Sequence, residues 1–334
     1  RQVEEQMMVR EITNAKSISL FIRRNKACLS TLFFLVVMMA CFLTASPKVF
    51  TDLAIYNAVF ITLPVAIFLV VPLVFTVTGG EIDLSFPSNM AMASWVFSLL
   101  IQKGIPPALC LIAAIGVGMG IGVMIGLIVV YGHLSSLVCT LGFNFFLRGF
   151  IMIVTEGRSI TILEVQDGLF HNVLAGTFFG LPIQMGWAFL FILLCVLVFN
   201  RHCYGVWVHC VGDNPQSAEQ MGIDVNRIRI SFFIFVGLGA SLAGVFSVLI
   251  NFSWWPTTGD GYLLTALASV FVGGTPTWGG VGTVVGGALG ATIVSFMETG
   301  VVAAGLTGFY VQFFKGLIII LSLLAHRYSS KRYR

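Results

Sequence analysis

The stretch LAIYNAVFITLPVAIFLVVPLVFTV at residues 53–77 runs directly into TGGEIDLS at residues 78–85. Twenty-five positions without an acid or a base are long enough to cross the hydrocarbon core, which needs about 20 apolar residues. The polar, glycine-rich segment that follows is then an interruption at the edge of a membrane span. The rest of the chain repeats the first pattern. Of 334 residues, 57% are apolar and 10% are charged, against roughly a quarter charged in a soluble domain. Ten spans of about 20 residues would occupy about 200 positions, and about 190 residues are apolar. This composition excludes a cytosolic globular protein, a disordered chain and a secreted disulfide scaffold. A membrane β-barrel would show alternating strands instead of continuous apolar runs. The fold expected is an all-α integral membrane protein with about ten transmembrane helices and short broken or re-entrant segments.

The runs fall at about Leu29–Thr44, Leu53–Val77, Phe86–Ile101, Pro107–Val130, Leu134–Val154, Gln184–Phe199, Ile230–Ile250, Tyr262–Val272, Val281–Met297 and Phe309–Leu324. The third and eighth are short enough to be re-entrant or broken. Residues 155–183, which hold Glu156, Arg158, Glu164 and Asp167, read as an external loop. Basic residues concentrate in three places: residues 1–28, the linker after residue 200, and the tail after residue 326. Positive charge marks the cytoplasmic side, so all three are expected in the cytoplasm. Ten spans give the even parity that this requires. The expected division is a cytoplasmic tail over 1–28, a membrane domain over 29–326, and a cytoplasmic tail over 327–334. Residues 1–28 are too long and too acidic for a signal peptide. The charge forms no basic face apart from loops beside spans, so no nucleic-acid partner is expected.

Two polar, glycine-rich breaks stand beside short apolar segments, one at residues 78–85 and one at residues 273–280. Paired interruptions in the two halves of a chain point to a transport path. Simple glycine turns fit the same spacing. Overlapping small-residue stripes, Gly116, Gly118, Gly120, Gly122 and Gly126 in the fourth span and Gly282, Gly286 and Gly290 in the ninth, let helix backbones approach closely. Packing within the chain is the default reading, with a dimer interface as the alternative.

Charge inside a span costs about 2.5–3.5 kcal/mol on insertion scales, so Asp83, Arg148, Glu298 and Lys315 each need a partner. Arg148 must face protein or water. Glu298 and Lys315 are expected to meet at the external side; snorkelling by Lys315 alone is the competing reading. Trp254 and Trp255 fit either an interfacial aromatic belt or contact with a soluble partner. The seven cysteines read as small buried hydrophobes. His202-Cys203 and His209-Cys210 match no standard metal spacing, and no metal site is expected. The chain carries no phosphate loop, H-E-x-x-H or G-x-S-x-G, so no catalytic residue is assigned and any nucleotide must be bound by another chain.

The linker segment VGDNPQSAEQMGIDV, residues 211–225, holds a short helix. Asp213 or Asn214 can cap it with Pro215 in its first position, and Gly222 can end it. Such a helix fits a groove on a soluble partner; a plain surface helix fits as well.

This segment resembles the coupling helix of permease subunits of ABC importers of the ribose and simple-sugar type, written G-x-N-P-x-A-A-x-x-x-G-I. Residues 79–85 resemble the G-G-I-D-L-S motif of that family, with Glu81 where Gly is common and Phe86-Pro87-Ser88 in place of Val-Gly-Ser. Thr140-Leu141-Gly142 with Arg148-Gly149 resembles its fifth-span motif. Gly261-Tyr262 through Thr275, then Gly279 through Gly286, resemble its C-terminal signature, and Lys315-Gly316-Leu317 its last span.

The resemblance implies a multi-pass protein of the bacterial inner membrane that imports a sugar or sugar-like solute. It also implies a second permease copy or relative, ATP-binding cassette subunits that bind the ATP, and a periplasmic solute-binding protein. No cofactor is implied for this chain. Asp213, Asn214, Pro215, Ala218, Glu219, Gly222 and Ile223 would meet the ATPase. Gly80, Glu81, Asp83, Ser85, Asn89, Arg148, Gly273, Gly274 and Thr275 are candidates for the translocation path, and Trp254 and Trp255 for the binding-protein contact. A permease for branched-chain amino acids or nucleosides is the alternative within the superfamily, and an ion-gradient-driven carrier is the alternative outside it.

Overall fold

A computed structural model describes residues 26–330 apart from Asp167. Residues 1–25 of the expected N-terminal tail, with Arg1, Arg10, Lys16, Arg23 and Arg24, lie outside the described residues, as do Lys331, Arg332 and Arg334 of the C-terminal tail.

The described chain is built from helices. They are α1 (Lys26–Ala45), α2 (Pro47–Phe50), α3 (Leu53–Thr78), α4 (Phe86–Gln102), α5 (Pro107–Tyr131), α6 (Ser136–Thr155) and α7 (Leu169–Ala175), then α8 (Ile183–Arg201), α9 (Cys203–Asp213), α10 (Pro215–Gln220), α11 (Val225–Asn251), α12 (Tyr262–Val272), α13 (Val284–Ala303) and α14 (Gly308–Ser330). Four two-residue strands lie between them: β1 (Ile160–Thr161), β2 (Thr177–Phe178), β3 (Leu181–Pro182) and β4 (Ser253–Trp254). β1 pairs antiparallel with β4, and β2 with β3. The loop expected over 155–183 thus carries β1, β2, β3 and the short α7.

Each of the ten apolar runs coincides with a helix, because an apolar chain in lipid must satisfy its backbone internally. Asp52 fixes the start of α3 by accepting from the Ala54 amide at 2.9 Å. The ninth run is shifted: Val281 and Gly282 belong to the preceding break, and α13 continues past Glu298 to Ala303. Thr283 sets its start by accepting the Gly286 amide at 3.0 Å.

Among the described residues, six helices are long and apolar enough to cross a membrane: α3, α5, α6, α8, α11 and α13. The apolar parts of α1 and α14 are shorter, and α12 has only eleven residues. At about 1.5 Å per residue α12 rises about 16 Å, roughly half of a hydrocarbon core about 30 Å thick. It is a half-helix that ends at the second glycine-rich break.

α3 is the central element. From Leu63 to Thr78 every residue is buried, as expected of a helix that is apolar on all sides. α11 packs between α3, α4 and α5. The fourth-span glycines explain the closeness of α5 and α11: a Cβ on Gly122 would lie 2.3 Å from the Phe233 carbonyl oxygen, and one on Gly118 would lie 2.6 Å from that of Gly237. Gly286 and Gly290 serve α12 in the same way, against the carbonyls of Gly273 and Ser269. The stripes therefore serve packing within the chain, while Gly116 and Gly120 face open space. α6 is the opposite of α3, with only Ser136, Thr140, Leu147 and Ile151 buried.

Candidate translocation path and coupling segment

The first break follows α3 without a helical turn. Gly80 adopts φ +84°, and the chain then runs without regular secondary structure to Ser85. Non-helical backbone inside a membrane protein needs internal partners, and α6 supplies them. The Ile82 amide donates to Ser136 Oγ at 3.2 Å, and the Leu84 amide donates to Thr140 Oγ1 at 2.9 Å. Asp83 is 1% exposed. Its Oδ1 accepts from the Ser85 amide at 2.7 Å and the Ser85 hydroxyl at 2.6 Å. Glu81 is buried and ion-paired to Arg229 Nε at 2.5 Å. Two residues of α4 continue the polar series. The Ser88 hydroxyl donates to Asn144 Oδ1 at 2.6 Å, and Asn89 Nδ2 donates to the Gly118 carbonyl at 3.1 Å.

The second break, residues 273–283, lies against the first. The Gly280 amide donates to the Thr78 carbonyl at 2.7 Å. A Cβ on Gly279 would lie 3.0 Å from Gly80 Cα, and one on Gly282 would lie 2.0 Å from Thr78 Oγ1 and 3.1 Å from Thr275 Oγ1. The hydroxyls of Thr78 and Thr275 are both buried and make no hydrogen bond. The two polar interruptions read from the sequence thus form one structural unit.

The linker joins that unit. Its first part is α9, which the sequence reading treated as plain linker. Gly212, near the end of α9, touches both breaks: a Cβ there would lie 1.8 Å from the Thr78 carbonyl oxygen and 2.6 Å from the Gly280 nitrogen. His209 Nδ1 lies 2.9 Å from the Gly280 carbonyl oxygen. Directly after this contact the chain turns into α10. Asn214 is the N-cap, accepting the Ser217 amide at 3.0 Å, and Pro215 is the first residue. The helix closes with Gly222 at φ +82°, with Ile223 N–H donating to the Ala218 carbonyl at 3.1 Å and Gly222 N–H to that of Glu219 at 2.9 Å. These two bonds satisfy the last carbonyls by the double-bonded glycine stop common at helix ends. Ala218 is fully buried, whereas Asp213, Asn214, Pro215, Glu219 and Gly222 are exposed.

Arg148 finds the acceptor that its place inside α6 demands. Its guanidinium donates to the carbonyls of Pro256 and Thr258 and pairs with Asp260. The expected pairing of Glu298 with Lys315 is present, Lys315 Nζ lying 2.5 Å from Glu298 Oε1. Thr265 completes the group: Lys315 Nζ donates to its hydroxyl at 2.7 Å, and that hydroxyl lies 2.8 Å from Glu298 Oε1. Lys315 is 8% exposed, so it does not snorkel.

Trp254 corrects the sequence reading. It belongs neither to an aromatic belt nor to a partner surface. It is fully buried, its backbone pairs with Ile160, and its indole N–H donates to the Ala91 carbonyl at 3.0 Å. Trp255 remains 45% exposed.

Arg229, Asp260, Thr265, His209 and Gly212 were missed as site residues. A charge inside an apolar run, such as Arg148, signals that a partner exists. It does not say which of several distant residues supplies it. His202 serves local structure: it accepts the Tyr204 amide at 3.1 Å as the cap of α9.

A bundle of apolar helices with two buried polar breaks, tied to one exposed and separately capped short helix, defines a multi-pass membrane permease. The chain belongs to the family described as branched-chain amino acid transport system / permease component, whose model matches residues 55–323. It is 32% identical to the ribose import permease protein RbsC of Escherichia coli over 296 residues, covering 87% of this chain and 90% of the relative. It is 30% identical to RbsC of Bacillus subtilis, over 77% and 79% of the two chains. It is 27% identical to the D-allose transport system permease protein AlsC of Escherichia coli, over 90% and 92%. No solved structure matches the chain.

Proposed function

We propose that this chain is the membrane-spanning subunit of a binding-protein-dependent ABC importer that carries a sugar or sugar-like solute into the cytoplasm. A separate subunit hydrolyses the ATP, and this chain performs no catalysis. The observation that carries the reading is the position of Gly212. Its backbone lies between the two polar breaks, one residue pair before the cap of an exposed helix. A push on α10 is therefore delivered to Thr78 and Gly280, where both breaks meet.

Relatives named for ribose and allose support a sugar as solute. The Ile82-Asp83-Leu84-Ser85 motif supports the same branch. In this reading the chain crosses the bacterial inner membrane ten times, α12 with the break after it making one crossing. Both termini and α10 lie in the cytoplasm. Two permeases pair, two ATP-binding subunits sit below residues 213–223, and a periplasmic binding protein delivers the solute above. The two states of the ATPase pair bias a bistable element. Buried path candidates such as Asp83, Ser85 and Thr275 then act as the hinge of that element.

Uptake of radiolabelled D-ribose and D-allose by cells carrying the whole transporter tests the reading. Uptake is expected to stop on ATP depletion and to survive collapse of the proton gradient. The reverse pattern identifies an ion-gradient carrier and overturns the proposal.

A further inference from the structure

Between α11 and α12 the chain makes a compact loop, Trp255 to Asp260. Its own turns hold it: the Thr258 amide donates to the Trp255 carbonyl at 2.9 Å, and the Asp260 amide to that of Thr257 at 3.2 Å. Gly259, at φ +93°, presses against the start of α4, where a Cβ would lie 2.4 Å from the Pro87 carbonyl oxygen. Arg148 grips the loop from α6 through the carbonyls of Pro256 and Thr258 and the Asp260 carboxylate. The loop is thus pinned from two sides.

Its depth follows from Arg148. That residue lies twelve positions into α6, about 18 Å at 1.5 Å per residue, in a helix whose length matches a core about 30 Å thick. Yet the side chain of Asp260 is 55% exposed, and Arg148 retains 15%. An indole at 45% exposure stands in the same loop. An exposed carboxylate at hydrocarbon depth is costly against lipid and is found facing water-filled cavities. In the importer reading this face of α6 therefore fronts water and not lipid.

We propose that Trp255 and Asp260 form a solute-contact site in the translocation path, held in place by Arg148, that recognises a polyhydroxylated solute. The inference rests on the importer reading and adds residues to it. An ionised carboxylate is an acceptor with room for several donors, so Asp260 takes adjacent hydroxyls while Arg148 holds one of its oxygens. The indole offers the flat apolar surface against which the C–H face of a sugar ring packs. Arg148 acts as a positioning residue.

Two measurements on the complete transporter in proteoliposomes test this. In the first, the native cysteines are replaced, and Trp255→Cys, Thr257→Cys and Phe150→Cys are each treated with a charged, water-soluble methanethiosulfonate. Trp255→Cys and Thr257→Cys are expected to react and to be slowed by D-ribose, whereas Phe150→Cys, exposed on α6 and on the opposite face from Arg148 by the helical repeat, is not. In the second, D-ribose uptake by Asp260→Asn and Trp255→Ala is expected to fall by about tenfold or more. Trp255→Phe is expected to keep most activity, and ATP hydrolysis stimulated by the binding protein to stay within about twofold. No thiol reaction at residues 255 and 257, or wild-type uptake in Asp260→Asn and Trp255→Ala, overturns the site. Absence of ATP-dependent uptake in the wild type overturns the importer reading instead, and the thiol reaction still decides whether the loop lines water.

Discussion

Gly212 lies so close to Thr78 that a Cβ on it would sit 1.8 Å from the Thr78 carbonyl oxygen. The same carbonyl accepts the Gly280 amide at 2.7 Å. One peptide group of α3 therefore meets the end of α9 and the second break at once. Main-chain contacts of this kind transmit displacement without the slack of a long side chain. They also allow no larger residue at position 212.

Gly222 is a different case. Its left-handed φ of +82° ends α10, and a Cβ there would meet nothing within 4 Å. A substitution is strained by the backbone alone, by about 1–2 kcal/mol. Gly222→Val is expected to distort the last turn of α10 and to uncouple ATP hydrolysis from uptake, with insertion into the membrane unchanged. Gly222→Asn is expected to act more mildly, since Asn tolerates this conformation. ATP hydrolysed per solute imported, measured side by side in proteoliposomes, checks both.

The pair formed by Glu81 and Arg229 ties the first break to the first turns of α11. Their side chains are 9% and 28% exposed, so removal of one charge leaves the other only partly hydrated. Glu81→Gln and Arg229→Gln are each expected to lower stability by about 1–3 kcal/mol. The double variant is expected to lose less than the sum, by at least about 0.5 kcal/mol. Thermal melting of the purified transporter reads the cycle.

Lys315, Glu298 and Thr265 join α14, α13 and α12. Lys315→Met removes the cation and leaves Glu298 with a hydroxyl partner only; because the Glu298 side chain is 34% exposed, water screens the charge left behind, and a loss of about 1–3 kcal/mol is expected. Lys315→Met with Glu298→Gln is expected to recover most of that loss, because neutral replacement of both members of a buried pair is often tolerated. Expression level and melting temperature of the three variants provide the check.

The spanning helices were legible because each is an apolar run with at most one internal charge, bounded by glycine, proline or polar residues. The cap and stop of α10 were legible because Asn214, Pro215 and Gly222 act locally. α9 was not: CYGVWVHCVGD mixes apolar and polar residues at an ordinary spacing, and only its packing on both breaks makes it a helix with a role. The pairing of Glu298 with Lys315 could be anticipated, since two unlike charges ended up on neighbouring spans. The partners of Glu81 and Arg148 could not, because Arg229 and Asp260 lie 148 and 112 positions away. Trp254 was misplaced for a similar reason. An indole beside a loop reads as interfacial until the Ala91 carbonyl that accepts its N–H is known.

Gly212→Ala tests the central claim most directly. The extra methyl forces apart backbone that is already in contact, at a cost of about 1–3 kcal/mol for overpacking. In proteoliposomes holding the ATP-binding subunit and the binding protein, uptake of the transported sugar is expected to fall by about tenfold or more, while ATP hydrolysis continues and the subunits still co-purify. Uptake and hydrolysis both at the wild-type rate in Gly212→Ala would contradict the claim that the breaks are driven through this contact.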